Sequence, residues 1–286
     1  MKKFLLSVLL NYTLVLDLIF LVYRLFYKKK FIRAINYHSI TRENVKNFKK
    51  QLKYFRKHYH NVSLNDLDQF LINGVWDNSK PGIILTFDDG MKNDYKIIKP
   101  LLEEYGFTGW FFIPVGFVDC LESKQFDFAI KNDLIDENYK KDNSNRLAMS
   151  WREVKHLSHN HVIACHTLSH HRMKKDDTNK KLENEIIDSK ILIENKISKA
   201  VSVFGWVGGE EKYYTKNASM IIEKAGYKYS FMTNSLPITE KSYPLQLQRT
   251  NIESHFSLSV VKFQLSGLMD MFYTSKRRRV NMLTKN

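Results

Sequence analysis

Short apolar runs alternate with longer amphipathic segments through most of the chain. The runs rich in β-branched and aromatic residues, which are typical of buried strands, are 31–37, 82–87, 109–115, 161–165, 200–207 and 228–232. The segments with apolar residues at helical spacing are 44–58, 94–106, 150–160, 179–198 and 216–227. Strands that alternate with helices predict an α/β fold with a parallel sheet, either doubly wound or closed as a barrel.

The domain organisation follows from length and composition. The chain has 286 residues, which is enough for one large domain or two small ones. No repeat and no linker rich in Pro or Gly divides residues 31–255, so we predict one domain there. Residues 1–30 are mostly apolar, and residues 256–286 form an amphipathic, basic C-terminal tail. Two cysteines, Cys120 and Cys165, are too few for a disulfide-framed scaffold.

The N-terminal segment contains the longest apolar stretch. As a helix, residues 4–27 would extend roughly 36 Å, which is enough to cross a bilayer. Asp17, Arg24 and Lys28 fall on one narrow face, and this stripe fits either a spanning helix or one lying in the membrane interface. The run is too long for a signal peptide and has no small-residue cleavage site. We predict membrane association through residues 4–27; a helix packed on the domain is the alternative.

The charge of the chain suggests an anionic partner. A total of 45 Lys and Arg against 30 Asp and Glu gives a formal net charge of +15 at pH 7. Nucleic acid, an acidic lipid surface and an acidic glycan all fit such an excess. No nucleic-acid-binding motif accompanies it, so we predict no nucleic-acid partner. Basic residues cluster at 28–30 and 276–279 beside apolar segments, which favours a membrane surface, and residues 256–273 are amphipathic enough to join it.

Five residues able to bind a metal or transfer a proton directly follow predicted strands: His38, Asp88, Asp89, His166 and His170. Parallel strands end at one edge of the sheet, where α/β proteins build their ligand sites. Two histidines four residues apart can hold one cation, and an aspartate would complete a three-ligand site of the catalytic zinc type. The other aspartate could then take a proton from water. Separately, Asp-Asp-Gly is most often a turn and histidines are mostly surface residues; together they favour metal-assisted hydrolysis.

The motifs LTFDDG (85–90) and MSWREVKHLSHNHVIACHTLSHHRM (149–173), with the segment 92–119 between them, resemble a known family. They are similar to the polysaccharide deacetylases of the NodB-homology type, carbohydrate esterase family 4, over about residues 35–232. The resemblance implies a distorted (β/α)7 barrel with an N-terminal apolar helix. It also implies that Asp88 is the catalytic base and that Asp89, His166 and His170 bind one divalent metal ion, usually zinc.

Two further segments bear on the reaction. AINYHSI (34–40) resembles the Tyr-His motif of the poly-N-acetylglucosamine deacetylase branch, whose barrel is circularly permuted and whose histidine is the general acid. We therefore predict His38 as the acid; a histidine that only caps the first strand is the alternative, and His255 is a weaker substitute. FGWVGG (204–209) lacks the Pro and Arg of the third family motif. Trp206 in this segment is predicted to stack on the sugar or else to belong to the core.

Together these features predict a metal-dependent enzyme that removes N-acetyl groups from N-acetylhexosamine units of an envelope or capsular polysaccharide. The altered third motif leaves an alternative, a catalytically inactive glycan-binding protein on the same scaffold. A base, three metal ligands and an acid argue against it, because binding alone needs none of them. The resemblance implies work outside the cytoplasm, whereas the lysines at 28–30 indicate the cytoplasmic face by the positive-inside rule.

Overall fold

The structure, a computed structural model, describes residues 14–23, 25–27, 30–137, 139 and 146–285. The strands among these residues are β1 (Ile32–Tyr37), β2 (His60–Asn61), β3 (Gly82–Phe87), β4 (Gly109–Ile113), β5 (Val162–Cys165), β6 (Val203–Gly205), β7 (Tyr229–Met232) and β8 (Leu247–Asn251). The helices after β1 are α1 (Val45–His58), α2 (Leu64–Asn73), α3 (Lys99–Tyr105), α4 (Val115–Asp119), α5 (Gln125–Lys131), α6 (Trp151–Leu157), α7 (Asn179–Glu183), α8 (Ser189–Ile197), α9 (Lys216–Lys224), α10 (Leu258–Leu265), α11 (Leu268–Phe272) and α12 (Thr274–Thr284). Single π-helical turns at Asp94–Ile98 and Asn184–Asp188 lead into α3 and α8.

The sheet closes on itself as a parallel barrel. Its strand order is β1-β8-β7-β6-β5-β4-β3, and β3 pairs with β1 in parallel over six residue pairs, from Ile32–Gly82 to Tyr37–Phe87. The short strand β2 pairs with the first two residues of β3, outside this closed ring of seven strands. The closure confirms the expected (β/α)7 barrel and excludes the open, doubly wound alternative. Circular permutation of the barrel stays a prediction.

Two apolar layers explain why the strands are buried on both faces. Alternate strand residues such as Ala34, Phe112 and Phe231 fill the barrel interior, and the others pack against the surrounding helices. This double burial gives the continuous apolar runs seen in the sequence, as expected for a helix-covered parallel sheet. β8 is the exception, since its sequence LQRTN is mostly polar and gives no apolar run. Arg249 and Asn251 of this strand line the site described below.

The N-terminal helix (residues 14–23 and 25–26) lies against the barrel. Leu16 and Phe20 are buried, and the Tyr23 hydroxyl donates a hydrogen bond to Asp270 at 2.7 Å. Within the described residues, no helix combines the length and the apolar character needed to cross a membrane. The remaining parts of the predicted apolar segment and its basic flank lie outside the described residues: 1–13, Arg24, Lys28 and Lys29.

The C-terminal segment 256–285 also packs on the barrel. Val261 and Leu265 of α10 and Val280 of α12 are fully buried. Arg277 donates hydrogen bonds to the backbone carbonyls of Asn234 and Ser235 at 3.0 and 2.7 Å. The basic C-terminal segment therefore forms helices that pack against the barrel beside the loop that follows β7.

Candidate active site

The carboxyl ends of the barrel strands surround a cleft of about 180 Å³. All six residues predicted from the sequence line this cleft: His38, Asp88, Asp89, His166, His170 and Trp206. His255, the weaker candidate for the acid, is exposed and does not line it. Residues separated by as many as 168 positions in the chain therefore share one site.

The turn after β3 points two neighbouring carboxylates in different directions. Asp89 has a φ of 77°, and Gly90 follows with a φ of 62°, so the chain turns sharply at the end of the strand. A non-glycine residue in the left-handed region is uncommon and is found at functional sites. The Asp89 carboxylate lies 3.3 Å from Nε2 of His170, whereas the Asp88 carboxylate lies against Arg249.

Both histidines are oriented by hydrogen bonds on the same ring atom. Nδ1 of His166 donates to the carbonyl of Gly205 at 2.8 Å, and Nδ1 of His170 donates to the carbonyl of Asn132 at 2.7 Å. These bonds direct Nε2 of each ring toward the cluster, where it would serve as the ligand atom for a cation. The ligand atoms of Asp89, His166 and His170 all lie within 4.8 Å of one another. Two imidazoles and one carboxylate fit a divalent metal of the zinc type.

Asp89 and His166 have protonation states that suit metal ligands. Burial opposes ionisation of Asp89, but the hydrogen bond from His170 and the nearby imidazole charges outweigh it and lower its pKa to about 2. Burial lowers the pKa of His166 to about 4, which leaves this imidazole neutral. An ionised carboxylate and a neutral imidazole are the forms that bind a cation. Burial lowers the pKa of His170, but the hydrogen bond to Asp89 and its charge outweigh burial and raise it, so a bound cation would replace the proton on this ring.

The loop that carries the two histidines is held by a buried glutamate. One carboxylate oxygen of Glu185 accepts hydrogen bonds from the amides of Leu168 and Ser169, at 3.0 and 2.9 Å. Glu185 belongs to the π-helical turn before α8, and such turns often occur at functional sites. Thr167, with a φ of 64°, accepts a hydrogen bond from the amide of His171 at 2.9 Å. The loop is therefore fixed by Glu185 from outside and by the hydrogen bond between Thr167 and His171 from within.

His38 has the properties of a proton donor. Its Nδ1 lies 3.0 Å from Glu253, and its side chain is 47% exposed at the edge of the cleft. The hydrogen bond to Glu253 and the charges of Asp89 and Asp88 outweigh the effect of burial and raise the pKa of His38 to about 9. The imidazole therefore carries a transferable proton at neutral pH.

Arg249 is a buried site residue that the sequence motifs did not reveal. Its guanidinium binds both oxygens of Asp88, at 2.7 and 3.0 Å, and donates to the hydroxyl of Thr86 at 3.0 Å. The side chain is fully buried, and it lies over the ring of Phe112. This pair fixes the orientation of Asp88 from β8, although the third motif lacks the expected arginine. The available signal was an arginine at the centre of a mostly polar strand.

Trp206 lines the cleft from within the core. Its side chain is buried at 2% exposure, its Nε1 donates to the hydroxyl of Ser230 at 2.8 Å, and its ring packs on Tyr214. Its neighbour Gly205 has no room for a side chain, since a Cβ atom there would lie 2.2 Å from the ring of Phe112. The third motif therefore shapes the wall of the cleft, and sugar stacking on Trp206 stays a prediction.

The family model described as polysaccharide deacetylase matches residues 77–230. No curated protein matches the sequence. The fold is similar to that of the deacetylase PplD of Streptococcus pyogenes, with a TM-score of 0.64, 17% identity, and coverage of 82% of this chain and 98% of that one. A de-N-acetylase from Aggregatibacter actinomycetemcomitans gives a TM-score of 0.64 at 16% identity, covering 82% and 99% of the two chains. IcaB from Ammonifex degensii gives 0.63 at 16% identity, covering 84% and 97%.

Proposed function

Because the chain belongs to the polysaccharide deacetylase family, we propose that it hydrolyses N-acetyl groups on N-acetylhexosamine units of an envelope or capsular polysaccharide. One observation carries this proposal: a carboxylate held at both oxygens by Arg249 shares a small cleft with a three-ligand cluster and a protonated histidine. Amide hydrolysis needs these parts together, because water must lose a proton while the departing nitrogen gains one.

The three-ligand cluster fits a divalent metal, and zinc is our proposal for it. Asp89, His166 and His170 would hold the ion through one carboxylate oxygen and two Nε2 atoms. When bound, it supplies a Lewis acid that polarises a carbonyl and makes a water molecule easier to deprotonate.

The two proton transfers of the reaction are carried out by side chains of the protein. Asp88 accepts a proton from the water molecule whose oxygen attacks the carbonyl carbon of the acetamide. His38 donates its proton to the nitrogen as the carbon–nitrogen bond breaks. The products are acetate and a free amine on the sugar. Arg249 keeps Asp88 in place, and Glu253 keeps His38 charged.

Acetate release is the direct test. The purified chain, loaded with zinc, should release acetate from N-acetylglucosamine oligomers. Asp88→Asn should abolish turnover while zinc stays bound, because the substituted residue is the base and not a ligand. His166→Ala should lose the metal, and His38→Ala should lower the rate with zinc retained. His255→Ala is the matched control, since this exposed histidine lies outside the cleft and should leave the rate unchanged.

Two results would contradict the proposal. Glycan binding without acetate release, with metal demonstrably bound, would favour a glycan-binding protein on the same scaffold. An unchanged rate in His38→Ala would show that His38 is not the general acid. It would also contradict the assignment of the chain to the permuted branch.

A further inference from the structure

The N-terminal helix presents an apolar face to solvent. Large side chains on this face are between 50% and 79% exposed, and they include Leu14, Leu18, Leu21, Val22, Leu25 and Phe26. They recur at helical spacing and therefore form one stripe along the helix. Extended exposed apolar surfaces mark interaction sites, whereas single exposed apolar residues are ordinary.

The opposite face of the helix fixes this orientation. Phe20 is buried against the barrel, and Tyr23 donates its hydrogen bond to Asp270. Asp17 forms an ion pair with Lys262 of α10 at 2.8 Å. Asp17 and Tyr23 are thus paired with the domain, and packing directs the apolar stripe outward.

A second apolar patch lies beside the helix on α11. Met271 and Phe272 are 75% and 76% exposed. Gly267, which precedes the first residue of α11, lies so close to the ring of Tyr23 that a Cβ atom at this position would clash with the ring. The patch on α11 therefore lies close to the part of the N-terminal helix that carries Tyr23.

Lysines line the groove between the N-terminal helix and α1. This groove has a volume of about 710 Å³ and contains Lys50, Lys53, Lys57 and Lys262. The sequence of α1 has six Lys and Arg and no Asp or Glu, so its outer face is strongly cationic. Asp17, paired with Lys262, is the acidic residue that lines the groove. An apolar surface edged by lysines is complementary to acidic headgroups above a hydrocarbon layer.

We propose that this surface binds an anionic phospholipid bilayer, with the N-terminal helix lying in the plane of the interface. The exposed stripe enters the acyl boundary, and the lysines of α1 contact the phosphates. A symmetric dimer fits this surface less well, because it would place two lysine-edged surfaces of like charge in one interface. The helix leads into the amino end of β1, and the cleft opens at the carboxyl ends of the strands, so attachment leaves the cleft accessible. The proposal is independent of the proposed reaction.

Vesicle sedimentation with the full chain tests this inference. We expect binding to vesicles of equal parts phosphatidylglycerol and phosphatidylcholine, and much weaker binding to phosphatidylcholine alone or at high salt. A variant with Lys50→Glu, Lys53→Glu and Lys57→Glu should bind the anionic vesicles at least about 100-fold more weakly, since each lysine near the surface contributes several-fold. Replacing Leu18, Leu25 and Phe26 by Ser should weaken binding by about 100-fold or more.

Matched variants separate this surface from general effects. Lys155→Glu, Lys216→Glu and Lys241→Glu give the same change in net charge at exposed positions elsewhere and should keep full binding. Ile72→Ser, Ile191→Ser and Met220→Ser remove exposed apolar side chains from α2, α8 and α9 and should also keep it. Thermal unfolding and acetate release from soluble oligomers should be unchanged in every variant, which shows that the barrel is intact.

Three results would overturn the inference. The first is equal binding to neutral and anionic vesicles, which would remove the role of the lysines. The second is full binding by the serine variant at Leu18, Leu25 and Phe26. The third is a lipid-free dimer that these serine substitutions dissociate, which would assign the surface to a second copy of the chain.

Discussion

Replacing Arg249 tests how the base is held. Arg249→Met removes a fully buried guanidinium and leaves the Asp88 carboxylate, itself 4% exposed, without its two charge-assisted hydrogen bonds. Breaking a buried ion pair on one side costs about 3–5 kcal/mol in the free energy of unfolding. In a domain of this size, that loss corresponds to a fall in Tm of roughly 10 °C. Denaturant or thermal unfolding measures it directly.

The same substitution should act on catalysis through the orientation of Asp88. A displacement of about 1 Å in a catalytic group costs about 100-fold in rate, so we expect kcat/KM to fall by about that factor. Arg249→Lys keeps the charge but loses the planar two-point contact, and we expect about a tenfold fall. Bound zinc should be unchanged in both variants, because Arg249 is not among the three residues of the ligand cluster. A positioning role predicts this separation of rate from metal content.

A double-mutant cycle with Asp88→Asn completes the test. If the two side chains stabilise each other, the double variant should be more stable than the sum of the single losses by about 2 kcal/mol. Additive losses in the cycle, together with wild-type kcat/KM in Arg249→Lys and Arg249→Met, would contradict a positioning role for Arg249. Loss of zinc in either variant would instead show that Arg249 supports the fold of the whole site.

Three other substitutions have defined outcomes. Glu253→Gln removes the carboxylate whose charge-assisted hydrogen bond holds the pKa of His38 at about 9; this pKa should fall, so kcat/KM should begin to decline at a lower pH on the alkaline side. Glu185→Gln loosens the histidine loop and should weaken zinc affinity about tenfold in a chelator competition. Gly205→Ala would place a methyl group 2.2 Å from the ring of Phe112 and should cost about 1–3 kcal/mol in denaturant unfolding.

Each of these predictions has a control or an opposing result. His255→Gln should leave the alkaline limb of the pH profile in place, and an unmoved limb in Glu253→Gln would point to a different acid. Glu183→Gln, at an exposed ion pair on α7, should leave zinc affinity unchanged, whereas equal losses at the two glutamates would contradict a specific role for Glu185. An unaltered free energy of unfolding in Gly205→Ala would show that the wall of the cleft adjusts to accommodate the added methyl group.

The sequence predicted the residues that bind the metal or transfer protons, but it did not predict the residues that hold them in place. Residues such as Asp88 and His166 were found because each directly follows an apolar strand, and parallel strands end at one edge of the sheet. The supporting residues Arg249 and Glu185 carry no such signal. Arg249 lies 161 positions from its partner in a strand without an apolar run, and Glu185 occurs within an ordinary amphipathic helical pattern.

The α/β alternation and the functional residues at the strand ends could be predicted from the sequence, because periodicity records which faces of each element are buried. The sequence left open whether the sheet is open or closed, since period and composition do not specify which strand edges pair. The tertiary structure decided this through the pairing of β1 with β3. That closure also brings β8 beside β1, so Arg249 reaches Asp88 across the barrel. Tertiary packing likewise decided which apolar face of the N-terminal helix is buried and which is exposed.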